Sequence, residues 1–267
     1  MSDSELPAGA GLPSEPGAEG TAAFMGPGPE PHFAPLYRQI HSLLTRQLLS
    51  GQWQPGQMIP TEQALARQYR VSQGTVRKAV DLLVAENILQ RRQGRGTFVA
   101  THREPRSQFR FLRLRDQQDR VPLFVSRILS CRRMRAPQEV VRRLQVKSGE
   151  ISIHIRRILD FEGVPTVLDD IWLSGTRFKG LTTEMLDAHD GPLYLLFESQ
   201  FGTRMLQGRE RVSAAVTDRE SGRWLGLDAG QPILQVERVS ETYEGQPVEF
   251  RRGLYRTDRH HYLSELR

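Results

Sequence analysis

The chain has 267 residues, 38% of them hydrophobic, with 37 Lys+Arg against 31 Asp+Glu. That is enough for one large domain or two ordinary ones, and no apolar run nears the ~20 residues that a membrane-crossing helix needs. The sequence opens with no basic stretch followed by an apolar one, so no secretory signal is read, and the lone Cys131 cannot close an internal disulfide; a reducing cytoplasm is the simplest setting.

Residues 1–32 carry five Asp/Glu, no Lys or Arg, and no apolar period. Such a Pro-, Gly- and Ala-rich segment buries too little surface to offset its ordering entropy, and reads as a disordered tail. Residues 33–103 hold ten Lys/Arg against three Asp/Glu. Clustered positive charge attracts phosphate through counterion release, although a merely solvated surface would look the same.

The spacing of Leu36, Ile40, Leu43, Leu44 and Leu48 predicts a helix over 35–50, opened by Pro35 and ended by Gly51. Trp53-Gln54-Pro55-Gly56 is a turn signal. Thr61 offers an N-cap for a short helix to about Gln68, with Ala64 and Leu65 inward. Ser72 caps the next, with Val76, Val80, Leu83 and Val84 on its buried side and Asn87 as a left-handed end. Ile88–Arg91 and Thr97–Val99 then flank a glycine-rich basic hairpin tip. Residues 101–108 read as a linker.

The remainder is strand-rich. Strands are expected at Val121–Met134, Ile151–Phe161, Val164–Leu173, Arg209–Val216, Ile233–Tyr243 and Pro247–Arg256, with turns at Glu162-Gly163 and Glu244-Gly245. Helices fit Pro137–Leu144, Leu193–Phe201 and Asp218–Leu225. Hairpin-linked strands favour an antiparallel sheet with helices packed on it, an α+β class.

Helix, helix, turn, helix, hairpin is the order of a winged helix-turn-helix. Its last helix fits a major groove and presents Ser72, Gln73, Gly74, Thr75 and Arg77 near its N-terminus. The wing brings Arg92, Gly94, Arg95, Gly96 and Thr97 toward a minor groove. Arg67, Arg77 and Lys78 read as phosphate contacts.

Residues 35–99 resemble the GntR-type winged helix. The carrying residues are Pro35–Ile40, Gly51 to Pro55-Gly56, Ile59-Pro60-Thr61-Glu62, Val71-Ser72 with Thr75-Val76-Arg77, and Arg91–Val99. Two departures stand out. Gln63 and Gln73 occupy positions where the family commonly carries arginines that, in similar proteins, hydrogen-bond guanine. Gln matches adenine N6 and N7, which predicts A·T pairs there, unless a Gln faces phosphate or water.

Residues from about 108 to 265 resemble the UTRA effector domain of the HutC subfamily, through Arg156-Arg157, Gly163-Val164-Pro165 with Asp169, Pro192-Leu193-Tyr194, Gly245–Phe250 and Tyr255-Arg256 with Asp258-Arg259. The resemblance implies an antiparallel sheet of chorismate-lyase-like fold with a ligand cavity, and assigns effector contacts to Arg157, Asp169, Tyr194, Glu249 and Tyr255. Alternation along 151–159 puts Arg157 on the apolar face with Ile151, Ile153, Ile155 and Leu159, where it needs an acid or a bound anion. An internal salt bridge to Asp169 or Glu249 would meet that need equally. Pro192 stands where a phosphate-binding Ser is frequent, which weighs against a sugar phosphate. Arg110, Arg113, Arg157 and Arg204 allow an anionic effector, a carboxylate for example; for Arg110 and Arg204 surface charge is the simpler reading.

The organisation read from the sequence is therefore a tail over 1–32, a DNA-binding domain over 33–100, a linker over 101–108 and a UTRA domain over 109–267. The expected partners are an operator duplex, a small-molecule effector and a second copy of the chain, with no membrane, metal or cofactor. The expected function is a sequence-specific regulator, a repressor released by effector. Two alternatives are an enzyme on the lyase-like fold and a nonspecific architectural DNA binder. Neither Cys131 nor the seven His form a catalytic or metal pattern; His260 and His261 would point apart on a strand.

Overall fold

The computed structural model describes residues 34–103, 111–121 and 123–264. The expected tail over 1–32, residues 104–108 of the expected linker, and Arg110 lie outside them.

The first apolar stripe forms α1 (Leu36–Leu49), burying Ile40, Leu44 and Leu48. Leu36, expected on that face, is exposed on the opening turn. Helix α2 (Glu62–Tyr69) is capped by Thr61, whose hydroxyl accepts from the Ala64 N–H, and it buries Leu65 and Ala66. Ala64, expected inward, is half-buried. Helix α3 (Gln73–Ala85) starts from the Ser72 cap and buries Val76, Ala79, Val80 and Leu83. Asn87, at φ 57°, then turns the chain into an antiparallel hairpin of β1 (Leu89–Arg92) and β2 (Gly96–Val99).

The second half is built from β4 (Phe124–Arg135), α4 (Gln138–Leu144), β5 (Ile151–Phe161), β6 (Val164–Ser174), α5 (Thr183–Asp187), α6 (Leu193–Phe201), β7 (Gln207–Val216), α7 (Arg219–Leu225), β8 (Pro232–Glu241) and β9 (Pro247–Tyr255). Its six long strands form one antiparallel sheet in the order β4-β5-β6-β9-β8-β7. Glu162 and Gly163 both take positive φ, 52° and 81°, the mirror-image turn that matches the right-handed twist of paired strands. Two features lay below the sequence signal. The two-residue strands β3 (Leu114–Arg115) and β10 (His261–Tyr262) pair with each other, and α5 is too short to show a helical period.

Alternation along the strands divides the sheet into two faces. One packs on α4 and α7 through Val140, Leu144, Leu225 and the strand residues Ile158, Leu168, Ile233 and Phe250. The other packs on α5 and α6 through Ile153, Ile155, Ile171, Leu173, Leu186 and Phe197. Arg157 lies on that second face, between the isoleucines and Leu159, as the period-2 reading requires.

Candidate nucleic-acid interface and effector cavity

The Ser72 hydroxyl accepts from the Thr75 N–H (3.1 Å) and pairs with the Thr75 hydroxyl (2.8 Å). These two residues, expected among the DNA contacts, therefore set the start of α3 and keep their side chains turned on each other. The first N–H groups of a helix have no intrahelical acceptor, so Gln73 and Gly74 present theirs outward at the positive end of the helix dipole. The side chains of Gln73 and, on α2, Gln63 and Arg67 are exposed and make no hydrogen bond or ion pair among the described residues.

Glu62 ties this surface together. Its carboxylate accepts from Arg77 Nε (3.0 Å) on α3 and from Arg91 Nη2 (2.9 Å) on the wing, and Arg91 also pairs with Asp81. Charge-assisted bonds thus link the wing to both α2 and α3. Lys78 lies over the Tyr37 ring (4.3 Å) and Arg92 over the Phe98 ring (4.4 Å), so both ammonium and guanidinium are seated on aromatic faces. The wing tip leaves Arg95 exposed between Gly94 (φ 67°) and Gly96 (φ 110°). A side chain at Gly94 would meet nothing within 4 Å, so the glycine there serves the backbone turn and not a tight fit. Thr97 is half-buried beside it.

On the α6 face of the sheet, a cavity of about 60 Å³ is walled by Arg157, Asp169, Tyr194, Arg238, Arg251 and Tyr255, together with the aromatic rings of Phe111 and Phe124. Arg157 donates through Nε (3.0 Å) and Nη2 (2.9 Å) to Asp169 Oδ2, the internal pair that the sequence left open. The same oxygen accepts from Arg251 Nη1 (3.2 Å), whose Nη2 donates to Glu249 Oε2 (3.0 Å). Tyr194 donates to Glu249 Oε1 (2.7 Å) and meets Ser240 Oγ (3.1 Å). Glu249 is fully buried behind Arg251 and Tyr194 and is not itself on the cavity wall.

The pairing is incomplete. Asp169 Oδ1 and Arg251 Nε are buried without a hydrogen-bond partner among the described residues. Burial holds the Arg157 guanidinium below its ordinary range, only partly countered by Asp169. For Arg251 burial acts the same way, but Glu249 and Asp169 outweigh it, and the guanidinium is held well above the usual range. Burial, with the Asp169 charge adding to it, pushes the Tyr255 hydroxyl up, so it stays protonated and able to donate. Tyr255 folds over Gly253, where an added Cβ would stand 2.3 Å from the ring and 2.8 Å from Asp169 Oδ1. Helix α6 opens on the cavity at Pro192, which provides no side-chain cap.

All five residues expected at the effector site converge here. Arg238 and Arg251 were missed. The alternation that found Arg157 would have found Arg251, which shares a face of β9 with Glu249 and Tyr255. Arg113 stands 3.6 Å from Glu210. Arg204, read as surface charge, is buried: its Nε lies 3.4 Å from Glu198, and its Nη atoms face the carbonyls of Asn87 and Ile88 (both 3.4 Å). The two carbonyls and the Tyr243 hydroxyl replace the water of its Nη atoms, while Nε makes no hydrogen bond among the described residues. The start of the expected linker is buried too, with Thr101 and His102 held by Glu198. His261 pairs with Asp119 (2.8 Å), while His260 lies against Phe161. Cys131 is half-buried, and burial pushes its thiol up.

Residues 36–99 match the family described as bacterial regulatory proteins, gntR family, and residues 123–261 match the UTRA domain. A histidine utilization repressor of Pseudomonas putida is 27% identical over 255 residues, covering 93% of this chain and 97% of that one. A probable fructoselysine utilization operon transcriptional repressor of Shigella flexneri is 26% identical over 219 residues, covering 80% and 87%. Among solved structures, the ligand-binding domain of a Bordetella bronchiseptica protein assigned to the GntR-family transcriptional regulators superposes with a TM-score of 0.59. It shares 47% sequence identity and covers 60% of this chain and 99% of that domain.

Proposed function

The chain belongs to the gntR family of bacterial regulatory proteins and carries a UTRA domain, and we propose that it is a repressor whose hold on an operator is relieved by a small anion bound in the sheet cavity. The observation that carries this reading is the pairing of two surfaces. One is a helix N-terminus with unengaged Gln73 beside a basic wing; the other is a cavity with three buried guanidiniums in its wall. Base edges are read from Gln63 and Gln73, and the backbone is gripped by Arg67, Arg77, Lys78 and the wing. The chain acts as a homodimer on an inverted repeat, in the bacterial cytoplasm where its operator lies.

The anion reading rests on the three buried guanidiniums of Arg157, Arg238 and Arg251, which share the cavity lining with a single carboxylate, Asp169, and on the uncapped N-terminus of α6 at the same cavity. Relatives named as repressors support the sign of regulation. Catalysis is not part of this reading, since a fold shared with a lyase carries no chemistry of its own.

Selection of bound duplexes from a random library by the full chain at physiological salt tests the proposal. Enrichment of a two-fold-symmetric motif is the expected result. Binding that fades with salt and enriches nothing would favour the architectural reading and overturn this one.

A further inference from the structure

Helix α6 runs from the cavity to the DNA-reading module. Its first turn puts Tyr194 in the cavity wall, bonded to Glu249 (2.7 Å). Glu198 follows four residues later, on the same face of the helix, and is buried. Its Oε1 accepts from the Thr101 hydroxyl, and its Oε2 accepts from the His102 backbone N–H (3.0 Å). Those residues leave the wing directly after β2, and the preceding Ala100 N–H donates to the Ile88 carbonyl (3.0 Å). On its other side Glu198 meets Arg204 Nε at 3.4 Å, and Arg204 reaches the carbonyls of Asn87 and Ile88, the residues that lead out of α3. The His102 ring also stands 5.6 Å from the Tyr194 ring, between the two ends of this chain of contacts.

We infer that Glu198 is the positioning residue that couples occupancy of the cavity to the orientation of the recognition helix. The inference rests on the regulatory reading above. One carboxylate clamps the exit of the wing directly and the exit of α3 through Arg204. Breaking the Arg204 side separates two buried charges, and breaking the wing side leaves a buried carboxylate short of donors; both are unfavourable, so the clamp holds or releases as a unit and does not stretch. A ligand that draws Tyr194 away from Glu249 shifts the first turn of α6, and Glu198 moves with it. An effector changes DNA affinity only to the extent that it favours one state of this clamp.

Coupling between binding sites is reciprocal, so operator DNA must in turn alter the cavity. That allows a test with DNA as the probe and no effector. Hydrogen–deuterium exchange is followed at residues 193–198 and 247–255 of the full chain, with and without the selected operator duplex. In the wild type, the duplex is expected to change exchange there by about fivefold or more, the lower end of a usual coupling between sites. In Glu198→Gln, which keeps the shape but loses the charge, the response is expected to vanish while fluorescence anisotropy still records operator binding. Thr101→Val removes one of the two wing-side bonds to Glu198, leaving that of the His102 N–H, and is expected to reduce the response at least twofold; an undiminished response there overturns the coupling if Glu198→Gln does not fold. A response that persists in the folded variants, or one absent from the wild type, overturns the coupling and leaves the regulator intact. Failure to enrich any duplex removes the regulatory reading and the coupling with it.

Discussion

In the DNA-reading module, Gln63, Arg67, Gln73 and Arg95 stand in solvent with no partner among the described residues, whereas in the sheet Arg157, Arg238 and Arg251 are buried, each paired with a carboxylate. The first set costs the fold almost nothing and can be exchanged without disturbing it. The second set is part of the core, so altering the cavity also alters stability. Recognition of a polymer with regular charge is served by uncommitted surface groups; enclosure of a small molecule requires charges already held in place.

The sharpest way to break this contrast is Asp169→Ala. It strips the shared partner from two buried guanidiniums and is expected to cost about 3–5 kcal/mol, read as a lowered urea midpoint of the full chain. An unchanged midpoint would mean that Arg157 and Arg251 find water or new partners, and that the cavity is not part of the core. Gln73→Arg should leave stability within about 0.5 kcal/mol of wild type. It should instead move base preference at one half-site position from A toward G, by about 1–3 kcal/mol of discrimination. Repeated library selection reads this directly, and unchanged preference at every position would remove Gln73 from base readout. The smallest effect belongs to Arg67→Ala: affinity falls alike for all duplexes, and the slope of log K against log salt drops by about 1. A loss confined to one sequence would show that Arg67 reads a base.

Much of this architecture was legible in the sequence because local signals carry it. The caps at Thr61 and Ser72, the turn at Glu162-Gly163 and the alternation through Ile153, Ile155 and Arg157 each announce an element and a face. Contacts between distant segments were not legible. Arg204 looked like surface charge because the carbonyls that receive it, those of Asn87 and Ile88, belong to a distant part of the chain. Thr101 and His102 looked like linker because polarity alone does not show that a buried carboxylate awaits them. The choice between a ligand and an internal partner for Arg157 likewise depended on Asp169, its cross-strand neighbour on β6.

The apolar core of the DNA-reading module is closed by two residues from the other half of the chain, Leu206 and Tyr243. The two halves are therefore not interchangeable parts. A recombinant that joined this winged helix to a foreign sensor would inherit an uncovered side where Leu206 and Tyr243 had been. Successful exchange, whether by evolution or by an engineer, would have to carry those two positions along with the reading head or replace them on the new sensor.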